Sequence, residues 1–193
     1  EVPEEPVLFS KFPTAVIGPE EKIVWDPEVT EEVDYEAELV VVIGKEGRNL
    51  SVDEAADHIA GYTVGNDVSA RDLQFADEQW VRGKSLDTFA PLGPSLATPD
   101  EIGNVNSLDI WAEFNGTRQQ ESTPENLFCN VDSLVSFCSQ MFTLTPGDVI
   151  FTGTPAGVGI FRDPPLHLEA GDTVSVGVED IGELTNECAY SDN

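Results

Sequence analysis

Residues 34–44 read DYEAELVVVIG, a segment in which Glu36 and Glu38 lead directly into an apolar run. The β-branched residues at positions 40–43 predict a buried strand, and side chains two positions apart on a strand point to the same face. Glu36 and Glu38 are therefore expected to lie side by side. Two ionised carboxylates at a hydrophobic layer repel each other and lose hydration, and a divalent cation is the simplest compensation.

A third carboxylate, Asp67, follows a second short predicted strand, residues 62–64, in the segment Gly65-Asn66-Asp67. Polar residues at the point where a strand opens into a loop are frequently functional. Together with Glu36 and Glu38, Asp67 would supply three oxygen ligands, a set that favours Mg²⁺, Mn²⁺ or Ca²⁺ over Zn²⁺. The alternative is that Asp67 only caps the following turn.

Basic residues are scarce, since 9 lysines and arginines stand against 37 acidic residues and the net charge is -28. Arg71, Arg82 and Lys84 nevertheless fall close together in sequence. Cations kept in such a chain suggest a role in holding an anionic substrate or balancing the acids, with ion-pair scaffolding as the alternative. Lys11 lies in the segment FSKF. A functional role and a position at the surface, with the stem of the side chain covering apolar groups, fit it equally well.

The charge distribution also limits the partners and the compartment. A field this negative repels nucleic acid and anionic membranes, and the dispersed acidic excess is typical of a protein from a salt-loaded cytosol. No run of 18 apolar residues predicts a membrane span. Three cysteines without a CxxC pair favour a reducing, cytoplasmic environment.

Many short strands and few helices predict one sheet-dominated α+β domain over residues 1–193. Ser51 and Glu54 form a capping box that predicts a helix over residues 52–60, and Asn115-Gly116 predicts a hairpin. A second helix is predicted over residues 131–142 and a last strand from residue 173, followed after Gly182 by a short tail. Lys84 is expected in a loop.

Oxygen ligands with open positions for substrate indicate a particular chemistry. A 2-oxo acid or 1,3-dicarbonyl compound can chelate a divalent ion through two oxygens, and the ion then stabilises an enolate. The sequence contains no G-x-S-x-G, no Walker loop and no G-x-G-x-x-G after a strand. Two histidines and three dispersed cysteines also give no tetrahedral zinc set.

Four segments, in this order, closely resemble the fumarylacetoacetate hydrolase family: DYEAELVVVIGK, GYTVGNDVSARDLQ, QW-x-x-GKSLDTFAPLGP and TLTPGDVIFTGTPAGVG. The resemblance covers about residues 9–186 and implies a mixed β-roll or β-sandwich fold and a homodimer. It implies that Glu36, Glu38 and Asp67 bind Mg²⁺, with Mn²⁺ or Ca²⁺ as alternatives. It also implies that the catalytic residues facing the substrate are Arg71, Gln74, Lys84 and Thr154, with Lys84 near the developing oxyanion.

One departure from the family pattern bears on the reaction. Short members carry, upstream of a P-x-x-F-x-K stretch that matches residues 6–11, a lid segment with a histidine and a glutamate, and only EVPEE precedes that stretch here. Either the lid lies upstream of Glu1 or the protein lacks the pair; in the second case hydrolysis of a C–C bond loses its acid/base step, whereas decarboxylation suffers least. The open alternatives are acylpyruvate or fumarylacetoacetate-type hydrolysis, 2-hydroxyhepta-2,4-diene-1,7-dioate isomerisation, oxaloacetate decarboxylation, sugar-acid dehydration, and a non-catalytic acidic metal-binding domain.

Overall fold

The computed structural model describes residues 5–191, which contain twelve strands and four α-helices. The strands are β1 (Val16–Ile17), β2 (Ile23–Trp25), β3 (Val33–Asp34), β4 (Ala37–Ile43), β5 (Ile59–Asn66), β6 (Ser69–Ala70), β7 (Ala90–Ala97), β8 (Ile110–Phe114), β9 (Thr117–Ser122), β10 (Val149–Phe151), β11 (Thr173–Val178) and β12 (Gly182–Tyr190). The helices are α1 (Val52–Ala55), α2 (Arg71–Ala76), α3 (Val81–Lys84) and α4 (Val131–Met141).

Two five-stranded sheets face each other across one hydrophobic core. Their strand orders are β1-β7-β5-β4-β10 and β2-β12-β11-β8-β9, and a small ladder joins β3 to β6. The pairs β1–β7 and β2–β12 are parallel, while the remaining pairs are antiparallel. This arrangement confirms the predicted sheet-dominated α+β fold with mixed sheets.

The alternation of side chains along β4 separates the core from the polar edge of the sheet. Leu39 and Val41 are fully buried and belong to the core cluster between the two sheets. Glu36 and Glu38 share the opposite face. The antiparallel register sets Ala37 opposite Asn66, and Asp67 N–H donates to the carbonyl of Glu36 at 2.9 Å. The register therefore brings Asp67 to the end of β4 that carries both glutamates.

Several local predictions are confirmed. The Ser51–Glu54 capping box is present, and β8 and β9 form the hairpin around Asn115 and Gly116, with φ values of 49° and 73°. Helix α4 starts behind Asn130, whose side chain accepts a hydrogen bond from the backbone N–H of Ser133. Positive φ at both turn residues is what a two-residue hairpin loop requires.

Three predicted boundaries are wrong. The helix predicted over residues 52–60 ends at Ala55, one 3₁₀ turn follows to His58, and Ile59 already belongs to β5. Pairing of an eight-residue strand with β4 outweighs a local helical preference. Lys84 ends helix α3 rather than lying in a loop, and the short tail predicted after Gly182 is the nine-residue strand β12.

No helix in the described part of the chain is long and apolar enough to cross a bilayer. All three cysteines are free thiols. The prediction about a lid upstream of the Pro6 stretch lies outside the described residues.

Candidate metal centre

Three carboxylates converge at the end of β4. Glu36 is 8% exposed, Glu38 3% and Asp67 1%, and one oxygen of each lies within 4.8 Å of the others. The expectation that Glu36 and Glu38 lie side by side and that Asp67 joins them is therefore confirmed as geometry. Hard oxygen donors at this spacing, buried together, fit a divalent cation of the Mg²⁺, Mn²⁺ or Ca²⁺ type.

Electrostatics explains why these groups need cations. Burial, together with the neighbouring charges of Asp67 and Glu36, raises the pKa of Glu38 well above its ordinary value. Burial also raises the pKa of Glu36, although Lys84 and Arg71 oppose that shift. Burial works against the ionisation of Asp67 too, but Lys11 and Lys84 outweigh it and lower the pKa. Glu38 is thus the carboxylate with the least compensation from protein cations.

Lys11 contributes a buried cation, so its interpretation as a surface lysine is wrong. Its Nζ lies 2.6 Å from Asp67 Oδ1, and its side chain is 10% exposed. The ammonium also donates to the carbonyls of Val68 at 3.1 Å, Phe89 at 2.8 Å and Lys84. Burial lowers the pKa of Lys11, while Asp67 opposes the shift. Lys11 therefore holds one oxygen of Asp67 in place.

Lys84 lies between two of the candidate ligands. Its Nζ is 2.8 Å from Asp67 Oδ2 and 3.0 Å from Glu36 Oε1, and the side chain is 2% exposed. Burial opposes the charge of Lys84, but Asp67 and Glu36 outweigh it and raise the pKa. The Phe9 ring centroid lies 5.1 Å from the same Nζ, so an aromatic face covers the ammonium.

Helix α3, which carries Lys84, packs so closely against α2 that their backbones are in contact. A Cβ added to Gly83 would lie 2.7 Å from the backbone nitrogen of Gln74 and 2.8 Å from the carbonyl oxygen of Ala70. Only glycine lets α3 approach α2 this closely. Close packing of the two helices therefore explains why a glycine, Gly83, comes immediately before Lys84.

Arg71 pairs with two carboxylates and a glutamine of the protein. Its Nη1 lies 2.7 Å from Glu36 Oε1 and 2.9 Å from Gln74 Oε1, and its Nε and Nη2 both lie 2.9 Å from Asp34 Oδ2. Arg71 and Gln74 are 3% and 5% exposed. Arg82, the third arginine or lysine of that stretch, instead pairs with Asp77 at the surface, at 2.7 Å.

Each candidate ligand has at least one oxygen occupied by a fixed donor. Arg71 and Lys84 both form ion pairs with Glu36 Oε1, and Lys11 forms one with Asp67 Oδ1. The backbone N–H of Gly153 donates to Glu38 Oε2 at 2.6 Å. The opposite oxygens of Glu36 and Glu38 are left to bind an ion, whereas both oxygens of Asp67 contact a lysine, Oδ1 that of Lys11 and Oδ2 that of Lys84. Within residues 5–191, four carboxylates, counting Asp34, and three cations make up the charged cluster.

Thr154 is held against the strand that carries the glutamates. Its Oγ1 donates to the carbonyl of Ala37 at 3.0 Å and accepts from Gln120 Nε2 at 2.8 Å. Gln120 is 1% exposed, and its Oε1 accepts from Ala37 N–H at 2.9 Å. Sequence reasoning missed Gln120 and Asp34. The scarcity of lysine drew attention to Lys11 but left its role open.

A cavity of about 320 Å³ borders the centre. It includes Gly153, the donor to Glu38, and Thr154. The other residues that line it are Pro6, Leu39, Ile110, Ser122, Thr123, Pro124, Asn126, Leu127, Phe128, Cys129, Leu134, Thr152 and Pro155. A pocket of this size, mostly apolar with a few hydroxyls, suits a small molecule.

Several known proteins are similar to this chain in sequence. The chain is 47% identical over 196 residues to fumarylacetoacetate hydrolase domain-containing protein 2 homolog of Dictyostelium discoideum, covering 96% of this chain and 64% of that protein. It is 46% identical over 188 residues to the mitochondrial oxaloacetate tautomerase FAHD2B of Bos taurus, covering 96% and 60%. The chain thus spans about three fifths of the length of these curated relatives.

Solved structures of related proteins have the same fold as this chain. A 5-carboxymethyl-2-hydroxymuconate delta-isomerase from Mycobacterium smegmatis superposes with a TM-score of 0.91 at 43% identity, covering all of this chain and 72% of that one. A fumarylacetoacetate hydrolase from Exiguobacterium antarcticum gives a TM-score of 0.94 at 40% identity, covering 97% and 67%. The family model for the fumarylacetoacetate (FAA) hydrolase C-terminal region matches residues 1–189. The chain therefore belongs to the fumarylacetoacetate hydrolase family.

Proposed function

We propose that this protein is a divalent-metal-dependent enzyme that acts on a small 2-oxo acid or 1,3-diketo acid through its enol form. One observation carries the proposal: three buried carboxylates share a centre with Lys84 and Arg71, beside a cavity of about 320 Å³. The relatives named as isomerase, hydrolase and tautomerase all act on compounds of this kind, which supports the substrate class.

The oxygens left by the protein donors support a six-coordinate ion. Glu36 and Glu38 would each bind with one oxygen, because Arg71 and Gly153 contact the other, and Asp67, whose two oxygens contact Lys11 and Lys84, would share one of them with the ion. Three such ligands suit the octahedral geometry of Mg²⁺ or Mn²⁺ better than Ca²⁺, which accepts bidentate carboxylates and six to eight oxygens. When bound, the ion would supply a Lewis acid that polarises the 2-oxo carbonyl.

The chain's own residues would handle charge and protons. Lys84, kept protonated by its carboxylate neighbours, would donate a hydrogen bond to the oxyanion and hold the proton that moves. We assign Arg71 and Gln74 to the wall of the site, since Arg71 pairs with the candidate ligand Glu36 and also donates a hydrogen bond to Gln74. Thr154 would border the substrate on the side of the cavity.

Isomerisation or tautomerisation of an enol is the reaction class that the names of two relatives support, with C–C hydrolysis, named for a third, and oxaloacetate decarboxylation as alternatives. Within residues 5–191 neither histidine hydrogen-bonds to the three carboxylates or to Lys84; His58 Nδ1 lies 3.1 Å from the carbonyl of Lys45. Each of these reactions moves a proton, and the Lys84 ammonium can donate one to the enolate, whereas taking a proton from the substrate or from water requires a separate base.

A combined binding and turnover assay tests the proposal. Mg²⁺ and Mn²⁺ should raise the melting temperature of chelator-treated protein, and oxaloacetate or an acylpyruvate should raise it further only when the ion is present. Ultraviolet absorbance should then show enol consumption that EDTA abolishes. If metal stabilises the protein but no 2-oxo acid adds to the effect or is consumed, the non-catalytic metal-binding domain is the correct function.

We also propose a single domain, a homodimer and a small-molecule partner, each on its own observation. One core cluster spanning both sheets supports a single domain over residues 1–193. Exposed aromatic side chains, Phe12 at 52% and Phe75 at 59%, support a homodimer, which light scattering would test. Small 2-oxo acids, rather than nucleic acid or membrane, are the partners that the net charge of -28 allows.

Halophilic origin and a cytoplasmic location are also proposed. The dispersed acidic excess supports a salt-loaded interior, and melting temperatures that rise between low and molar KCl would test it. Three free cysteines support a reducing compartment. The bovine relative is named as mitochondrial, so localisation of the tagged native protein decides between the two compartments.

A further inference from the structure

Asp34 is a buried carboxylate outside the three candidate ligands. It lies at the end of β3 and is fully buried. Its Oδ1 accepts from the backbone N–H groups of Tyr35 and Gly159, both at 2.8 Å, and its Oδ2 accepts from Ile160 N–H at 3.0 Å. Three backbone donors fix the orientation of this carboxylate before any arginine is considered.

The glycine at position 159 allows that approach. A Cβ there would lie 2.8 Å from Asp34 Oδ1 and 1.9 Å from the carbonyl oxygen of Leu166. The loop after β10 is therefore built to bring its backbone onto Asp34. Its other end supplies the Gly153 N–H that donates to Glu38.

Asp34 fixes the plane of the Arg71 guanidinium. Both Nε and Nη2 of Arg71 lie 2.9 Å from Asp34 Oδ2, which leaves Nη1 directed at Glu36 Oε1, 2.7 Å away. Because a guanidinium is planar and rigid, fixing one edge sets the direction of the remaining nitrogen. Asp34 thus directs Arg71 to Oε1 of Glu36, the oxygen that Lys84 also contacts at 3.0 Å, and leaves the other oxygen for an ion.

We propose that Asp34 is a positioning residue for the metal ligand Glu36 and that it acts through Arg71. The inference rests on the proposed metal-dependent function. Outer partners that orient metal ligands typically change affinity 10- to 100-fold when they are lost. Asp34 should therefore affect ion binding without touching the ion.

Isothermal calorimetry with Mn²⁺ on chelator-treated, monodisperse protein tests this. We expect Asp34→Asn, which preserves shape, to weaken binding roughly 10- to 100-fold. Asp172→Asn is the matched control: it removes the same charge from a carboxylate that accepts a backbone N–H from Glu169 at 2.7 Å, distant from the centre. The control should bind within about twofold of the wild type, since the partners of Asp172 are Asn115 and the backbone of Glu169 rather than any candidate ligand.

A double-substitution cycle separates positioning from simple support of the loop. Arg71→Lys keeps the charge but cannot pair with Asp34 and Glu36 in one rigid plane, so it should weaken Mn²⁺ binding by a similar factor. Combining Arg71→Lys with Asp34→Asn should then add less than about threefold. Multiplication of the two losses would overturn the proposal, because Asp34 would then act independently of Arg71.

The remaining outcomes are also decisive. Wild-type affinity in Asp34→Asn overturns the proposal, as does wild-type affinity in Arg71→Lys if Asp34→Asn fails to fold by circular dichroism. If the wild-type protein itself shows no Mn²⁺ or Mg²⁺ binding, the proposed function fails instead. Loss of turnover with unchanged Mn²⁺ affinity also counts against this role of Asp34.

Discussion

Two ion pairs of equal length lie in opposite environments in this molecule. Lys22 Nζ and Glu187 Oε1 are 2.8 Å apart with both side chains about half exposed, and Lys84 Nζ and Asp67 Oδ2 are 2.8 Å apart with both almost fully buried. Water and salt screen the first pair, whereas the second has lost its hydration and depends on its partners. Burial, rather than distance, therefore decides what each charge contributes.

The largest difference between the buried and the exposed charges is expected when a proposed ion ligand is removed. Glu38→Gln keeps an oxygen for the Gly153 N–H but loses the charge, so turnover should fall by a factor on the order of 10³ or more. Steady-state assays with oxaloacetate, together with Mn²⁺ calorimetry, measure both losses. Glu187→Gln, in the exposed pair, is the control. Retained turnover in Glu38→Gln would remove this glutamate from the ligand set.

Lys84→Met should reduce turnover next most strongly. Losing a proton-transfer group or an oxyanion donor costs about 10²- to 10⁴-fold. The effect should appear in kcat more than in KM, because the ammonium acts on charge that develops during the reaction. Lys22→Met, tested at the same ionic strength, should leave both constants unchanged. An equal effect of the two substitutions would refute the assignment.

Lys11→Met should chiefly affect stability. Removing one partner of a buried pair typically costs about 3–5 kcal/mol, since Asp67 is left uncompensated. Urea unfolding of chelator-treated protein measures the loss. Saturating Mg²⁺ should restore part of it, because the ion then takes over the compensation of Asp67. Absence of any recovery would indicate that Lys11 acts through the three carbonyls it contacts instead.

Lys22→Met should have the smallest effect. Exposed pairs contribute roughly 0.2–1 kcal/mol, so its urea midpoint should lie close to that of the wild type. The small difference should disappear in molar salt, where charges at the surface are screened. A loss as large as that of Lys11→Met would mean that exposure does not separate the two regions.

The sequence predicts well where the cause is local. Alternation along β4 places Glu36 and Glu38 on one face, and the Asn115-Gly116 pair provides the positive φ values of its hairpin. The side chain of Asn130 likewise caps α4 as its residue type indicates. In each case the deciding atoms lie within a few positions of one another.

Prediction fails where the cause is distant along the chain. Lys11 is buried because carbonyls of residues 68, 84 and 89 and one carboxylate meet around its ammonium. Asp34 matters because Gly159 and Ile160 approach it from 125 and 126 positions away. The strand onset at Ile59 is set by pairing with β4, which no capping signal near Ser51 can reveal.

The inventory of charges around the end of β4 has a kinetic consequence. Asp34, Glu36, Glu38 and Asp67 exceed Lys11, Arg71 and Lys84 by one negative charge, and a doubly charged ion reverses that sign. A monoanion approaching this acidic protein is repelled by the ion-free centre and attracted once the ion has entered. If the proposed ion binds there, we therefore expect ordered binding, with the cation first and the carboxylate second.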